Sequence, residues 1–328
     1  MTATGPTTAD LHIACAADMA YLPHCAAMLH SVFAHRQGQQ CQVHFLHGPE
    51  LPVAELQPLA EMVERLGGTF VAHFIPAAWV EGLPRLSQIP AVMWYRVYLP
   101  QLLPAQTRVL YLDCDTVVMD DLASLWQTPL DGLYLAAVAN VLEERVKDWP
   151  QALGLPPQAF YFNSGVLLFN LDQMRTDGMT EKLVAFGREQ AARLRWPDQD
   201  ALNAVLGRQC QFVHPRWNCQ NSLFYYPRSR EVFGAAQVRE AIRQPGIVHF
   251  EGGNIVKPWH YLSKHPYRRA YLEHRRQTPW PQVEFQDRTV FNALLRLLPT
   301  SWAFVVRKYA YRLLYKVQAL THTARRDL

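Results

Sequence analysis

The densest chemistry in the chain is VLYLDCDTVV, where Asp113 and Asp115 flank Cys114 at the end of an apolar, strand-like run. Two carboxylates that close repel each other unless a cation neutralises them, and open α/β sheets bind ligands at the carboxyl ends of their strands. Hard oxygen donors of this kind suit Mg²⁺ or Mn²⁺, and a divalent ion held there can in turn hold a diphosphate. The alternative is that one acid caps a following helix and the other is solvated. Other residues of useful type are dispersed. Arg96 sits among apolar neighbours, where a buried guanidinium needs an anion or a carboxylate. Asn163 and Ser164, in YFNSG, precede a strand-like run; a turn explains them equally well. Asp198, Gln199 and Asp200, in WPDQDALN, place acids in what reads as a first helical turn, where they also complement the helix dipole. His249 closes the apolar run IVHF, a position more often structural than ligating.

These residues need a scaffold, and the pattern supplies one. Short apolar runs rich in β-branched residues, LHIACAA (11–17), QVHFLH (42–47), TFVAHFI (69–75), RVLYLDCD (108–115) and LYLAAVA (133–139), alternate with helix-like stretches at Leu22–His35, Val53–Leu66 and Trp94–Leu102. GVLLFNL (165–171), a helix-like run over 180–194 and IVHF (247–250) continue the series with no linker. The expected fold is α/β, a Rossmann-like, mostly parallel sheet with helices on both faces. Proline-containing stretches near 76–90, 149–158 and 215–227 read as long loops.

The chain has 328 residues, 49% apolar and 18% charged, a globular composition. Six cysteines without CxxC spacing fit free thiols better than disulfides or a zinc site. No basic leader or long apolar run is present, so a cytoplasmic location is expected. Residues 291–328 carry seven cations against Asp327 alone, a net +6 that leaves about −2 for the rest of this +4 chain. The main domain therefore lacks the basic character of a nucleic-acid binder. In the tail, Trp302, Val306, Tyr309, Leu313, Val317 and Leu320 recur at helical spacing beside Lys308, Arg312 and Lys316. Residues 1–285 read as one catalytic domain, and 286–328 as a basic amphipathic helix. That helix either docks on anionic lipid at the inner face of the cytoplasmic membrane or packs on the main domain.

Taken in order, ACAADMAYLPHCAAMLHS, WYRVYLP, VLYLDCDTVV, YFNSGVLLFNL, WPDQDALN and VHFEGGNIVKPWH resemble the family 8 retaining glycosyltransferases, including bacterial lipopolysaccharide galactosyl- and glucosyltransferases. The resemblance spans about residues 11 to 262 and implies a GT-A type nucleotide-sugar-binding fold. The implied reaction moves glucose or galactose from a UDP-sugar to a glycan or lipid-linked saccharide, such as a lipopolysaccharide core.

The same resemblance implies roles. Asp18 and Tyr21 would meet the uracil and ribose, although Asp18 also suits a helix N-cap. Asp113, Cys114 and Asp115 would line the diphosphate, with His249 as third metal ligand. An imidazole added to two carboxylates favours Mn²⁺ over Ca²⁺ and still accepts Mg²⁺. Arg96 would approach the sugar and phosphates, Asn163 and Asp198 the sugar hydroxyls, and Gln199 the anomeric carbon. Ser164 and Gly165 would permit close backbone approach. Gly252, with Gly253 as a competing choice, and Lys257 would meet the phosphates. Seven residues, Phe250 to Val256, separate His249 from Lys257, more than is usual in the family. Because Gln199 is an amide and a poor nucleophile, a same-face displacement is expected, with Asp198 as an alternative covalent participant. LDCDTVV also fits the DxDxT motif of haloacid-dehalogenase-type phosphatases, and a non-catalytic nucleotide-sugar-binding protein is a further alternative.

Overall fold

The computed structural model describes residues 10–85, 91–156, 161–285 and 287–297. Ten strands are present among them. These are β1 (Leu11–Ala16), β2 (Cys41–His47), β3 (Thr69–Phe74), β4 (Arg108–Leu112), β5 (Thr116–Val118), β6 (Leu135–Ala139), β7 (Phe162–Asn170), β8 (Cys210–Phe212), β9 (Cys219–Gln220) and β10 (Ile247–His249). Seven form one sheet in the order β3-β2-β1-β4-β7-β6-β8, and β5-β10-β9 form a second. The large sheet is parallel except where β7 runs against β4 and β6. The expected mostly parallel α/β sheet is therefore present, with β7 as its reversed central strand.

The two-residue period of the strands separates two cores. Leu11, Ile13 and Cys15 of β1, with Leu110 and Leu112 of β4, pack with the helices Leu22–His35 and Gln57–Arg65. Ala14 and Ala16, with Val109 and Tyr111, face the other way, toward Trp94, Val97, Leu183 and Leu202. Central strands β4 and β7 are buried on both sides, so they read as continuous apolar runs.

Local chemistry corrects several expected boundaries. In place of one helix over Trp94–Leu102 there is a 3₁₀ segment, Ala91–Tyr98, followed by a short α-helix, Leu99–Leu102. Pro100 has no N–H to return to an upstream carbonyl, so it starts a new helical turn instead of extending the old one. Pro58 divides the next case the same way, into Val53–Leu56 and Gln57–Arg65. The run 108–115 is also interrupted, because β4 ends at Leu112 and the two acids lie in the turn before β5. The expected loops hold short helical turns at Ala77–Val80, Trp149–Ala152, Pro215–Asn218 and Asn221–Tyr225, together with β9.

The chain divides into two compact units, residues 1–251 with 270–282, and residues 252–269 with 283–328. The second unit has its own small core around Leu262 and Leu295 and an ion pair of 2.9 Å between His260 Nε2 and Asp287 Oδ2. Within it, Thr289 caps the helix Val290–Leu295 by accepting from the Asn292 N–H. The tail residues expected to form an amphipathic helix, Trp302 to Leu320, lie outside the described residues. Among those described, no helix is long and apolar enough to cross a membrane. All six cysteines are free.

Candidate active site

The turn Asp113–Asp115 stands at the carboxyl end of β4, between the ends of β1 and β7. β5 then pairs antiparallel with β10 in a register that sets Thr116 opposite His249. That pairing delivers His249 to the two acids. One ligand atom from each of Asp113, Asp115 and His249 lies within 4.8 Å of the others. His249 Nε2 is 3.2 Å from Asp115 Oδ1 and 3.9 Å from Asp113 Oδ2.

The donor set fits a divalent metal ion. Asn218 Oδ1 lies 3.0 Å from His249 Nδ1 and can accept its hydrogen, while Nε2 is the nitrogen turned toward the two carboxylates and would be the one to ligate an ion. Gly165 leaves room on the remaining side: a Cβ at that position would come within 2.2 Å of His249 Cε1 and 2.8 Å of Asp113 Oδ2. Burial alone would lower the His249 pKa, but the carboxylates of Asp115, Glu251 and Asp113 outweigh it and raise the pKa.

Arg96 organises the second side of the site. Its guanidinium is 5% exposed and donates to Asp113 Oδ1 (2.9 Å), to the Met93 carbonyl (3.2 Å) and to the Ser164 carbonyl. Its Nε is also 3.5 Å from Asp198 Oδ2, and its plane lies 4.2 Å from the centroid of the Tyr111 ring. Burial opposes the charge, but Asp113, Tyr111 and Asp198 hold the guanidinium protonated. Arg96 thus ties a metal-ligand candidate to the DQD helix, Pro197–Leu206.

On that helix Asp198 and Gln199 are both buried. Burial pushes the Asp198 carboxyl up to about 6; Arg96 pulls it down and Asp113 raises it further. Gln199 Oε1 accepts from the Ser164 N–H (2.9 Å) and more weakly from Asn163 Nδ2 (3.3 Å). Asp200 reaches back over its own helix start to the N–H groups of Arg195 and Trp196, at 2.7 and 3.0 Å. The expected helix start is present, with Asp198 and Asp200 in its first turn, and Asp198 of that turn also faces Arg96.

Asp18 lies two residues beyond β1, and its Oδ1 accepts from the Tyr21 N–H at 2.9 Å, ordering the turn before the first helix. Tyr21 is exposed at 38%. Cys114 is buried, and its thiol donates to the Ala16 carbonyl at 3.1 Å, joining the acid turn to the end of β1. Gly252 and Lys257 belong to the second unit. Gly252 has φ +87°, a conformation that favours glycine, and the Lys257 ammonium lies 5.7 Å from the Trp259 ring centroid. Two residues of evident importance were not singled out from the sequence, Tyr161 and Asn218. Tyr161 carried only its place just before FNSG, and Asn218 carried no signal in the sequence.

A mixed sheet of this order, with an acid pair at the end of β4 and a histidine brought beside it by a small second sheet, is the architecture of a GT-A glycosyltransferase. The chain belongs to glycosyl transferase family 8, whose model matches residues 12–263. It is 30% identical to General stress protein A of Bacillus subtilis over 280 residues, 83% of this chain and 96% of that one. It is 26% identical to a lipopolysaccharide 1,2-glucosyltransferase of Escherichia coli over 239 residues, 70% of this chain and 68% of that one. Among solved structures, the galactosyltransferase LgtC in complex with donor and acceptor sugar analogues superposes with a TM-score of 0.73. That match is at 24% identity and covers 82% of this chain and 96% of that one. The phosphatase reading of LDCDTVV gives way to this membership.

Proposed function

We propose that the chain is a retaining hexosyltransferase that moves glucose or galactose from a UDP-sugar to a saccharide acceptor, a lipopolysaccharide core or another cell-surface glycan. It would act at the inner face of the cytoplasmic membrane. The observation that carries this reading is the convergence of Asp113, Asp115 and His249 in a family 8 chain. These three residues would hold Mn²⁺, with Mg²⁺ as the alternative. Such an ion, when bound, neutralises charge that develops on a departing diphosphate.

The residues of the chain account for the rest. Asp18 and Tyr21 would receive the nucleoside, and Lys257, with the Gly252 turn, would add charge and close approach at the diphosphate. Asn163 and Asp198 would orient the hexose through its hydroxyls. Gln199 presents an amide whose oxygen already accepts from the Ser164 N–H. It is therefore poorly suited to attack the anomeric carbon, which supports a same-face displacement in which the leaving phosphate assists the acceptor hydroxyl. Arg96, held by Asp113, Asp198 and two carbonyls, acts here as a clamp on the ligand set.

The test is UDP release from UDP-glucose and UDP-galactose, each with Mn²⁺ or with EDTA, for the natural chain and Asp115→Ala. Mn²⁺-dependent release from one donor, lost in the variant, is the expected result and identifies the sugar. Equal release in EDTA would remove the metal from the reading. A glycosyl adduct on Asp198 or Gln199, detected by mass spectrometry, would replace same-face displacement with a covalent intermediate.

A further inference from the structure

The buried hydrogen bonds that run from Asp200 through Tyr161 and Gln199 to Asn163 and Asn218 belong to the candidate active site. Away from it, three histidines converge where the helix Arg268–Arg275 meets the helix Leu22–His35. Tyr271 and His274 stand three residues apart, on one face of their helix. Tyr271 is buried, its hydroxyl lies 2.6 Å from His24 Nδ1, and its ring meets Phe250 edge-on at 6.2 Å. Those contacts anchor one helix on the other, and one turn further on His274 comes against His30. The two Nδ1 atoms are 3.0 Å apart and the ring centroids 5.2 Å. His35, the last residue of its helix, adds a third imidazole, edge-on to His274 with centroids 5.7 Å apart. The Ser31 carbonyl engages His35 Nδ1 at 3.0 Å, which holds the ring and leaves Nε2 for another partner.

Imidazole nitrogens suit Zn²⁺, Cu²⁺ and Ni²⁺. Two nitrogens bound to one such ion at about 2.0–2.1 Å stand roughly 2.8–3.4 Å apart, from right-angled to tetrahedral geometry. The 3.0 Å between His30 and His274 falls inside that span. All three rings are partly exposed, so an ion reaches them from solvent. His44 is the contrast: its ring nitrogens also meet two histidines, at 3.0 and 3.1 Å, but it is buried. The trio also differs in kind from the acid cluster. There three donors, two of them carboxylates, lie within 4.8 Å of one another and suit a hard ion. Here the donors are nitrogen alone, two in place and a third ring beside them, which suits a borderline ion that keeps water in its remaining positions.

We infer that His30 and His274, with His35 beside them, form a second metal site, for an ion of the Zn²⁺ class, that staples residues 270–282 onto the first helix. The chain order gives such a staple its consequence. Residues 270–282 belong with residues 1–251, whereas the chain on either side of them, 252–269 and 283–328, makes up the second unit. A bound ion therefore tightens the stretch in which the chain returns to its first unit between the two parts of the second. The site is independent of the metal proposed at Asp113, Asp115 and His249.

Hydrogen exchange read by mass spectrometry, on the full chain with and without Zn²⁺, locates the staple. Zn²⁺ should slow exchange at the backbone amides of residues 270–282 and of the second half of Leu22–His35. It should do so in the natural chain and equally in Asp115→Ala, which lacks a donor of the acid cluster. Mg²⁺, a hard ion, should leave both stretches unchanged. His274→Gln and His30→Gln should each abolish the slowing; both side chains are partly exposed, and either variant serves if the other does not fold. In the Asp115→Ala background, titration calorimetry should show Zn²⁺ binding weakened by each substitution at least about tenfold, since losing only an outer-shell partner of a metal histidine costs about 10- to 100-fold. No Zn²⁺-dependent slowing in 270–282, or slowing that persists in both His30→Gln and His274→Gln, overturns the site and leaves a hydrogen bond between two rings. Slowing that disappears in Asp115→Ala assigns the ion to the acid cluster and overturns it equally.

Discussion

Thr116 and His249 face each other in the antiparallel pairing of β5 with β10, and the next hydrogen bond, from the Phe250 N–H to the Asp115 carbonyl, is 2.9 Å long. His249, from late in the chain, is thereby placed beside the acid pair from its first half by backbone pairing.

That geometry makes Gly165 a sensitive position. An added methyl group would meet His249 Cε1 and Asp113 Oδ2 well inside contact distance, between two members of the candidate metal cluster. Gly165→Ala is expected to lose tenfold or more in Mn²⁺ affinity, the scale seen when ligand orientation is disturbed. Overpacking should cost about 1–3 kcal/mol of stability. Titration calorimetry with Mn²⁺ and UDP, alongside urea unfolding, checks both. Unchanged affinity in a folded variant would show that the cluster tolerates displacement.

Arg96 presents its planar fork to Asp113 and the Ser164 carbonyl at once, and a lysine cannot reproduce that geometry. Arg96→Met leaves Asp113 and Asp198 without their shared cation in a buried site. Breaking such a pair from one side costs about 3–5 kcal/mol. The urea midpoint should fall accordingly, and adding Mn²⁺ should restore part of the difference, because a bound cation replaces the lost positive charge. A variant as stable as the natural chain would mean that solvent reaches the pair.

Most of the large sheet was legible in the sequence, because β1, β2, β4, β6 and β7 are buried runs whose alternation or continuity betrays them. The acid pair was legible for the same reason, as it terminates one of those runs. The three-residue β5 and two-residue β9 were not, since strands so short have no period to read. Nor were Asn218 and Tyr161, whose importance comes from the partners that tertiary structure gives them. Prolines at 58 and 100 were visible in the sequence, but their effect, restarting the helix within an otherwise unbroken apolar pattern, needs the carbonyl geometry upstream.

The carboxyl of Asp198 is pushed up to about 6, chiefly by burial. As an acceptor for a sugar hydroxyl it is needed ionised, so kcat/KM for the UDP-hexose should rise with pH through about 6 and level off above it. In Asp198→Asn the inflection should vanish at a low, flat rate. Stability should move the opposite way. The folded state binds the proton more tightly than the unfolded state, so Asp198 lowers stability as pH rises from the ordinary carboxyl range to about 6. Asp198→Asn should remove that slope, which pH-dependent urea unfolding would detect. An inflection near pH 6 that persists in Asp198→Asn would assign it to another group.

The helix Val290–Leu295 exposes Val290 at 82% and Leu294 at 62%, with Phe291 at 44% and Leu297 at 83% beside them. The sequence that follows carries six of the seven cations of residues 291–328 among regularly spaced apolar residues. Apolar burial and attraction to anionic headgroups add, and each cation near such a surface contributes about 1 kcal/mol at moderate ionic strength. The full chain is therefore expected to sediment with vesicles containing phosphatidylglycerol and to leave them as salt is raised, since screening shortens the reach of the charges. A chain ending at Gln286 should stay in the supernatant. If it sedimented as fully as the natural chain, the membrane-binding surface would lie in the catalytic unit.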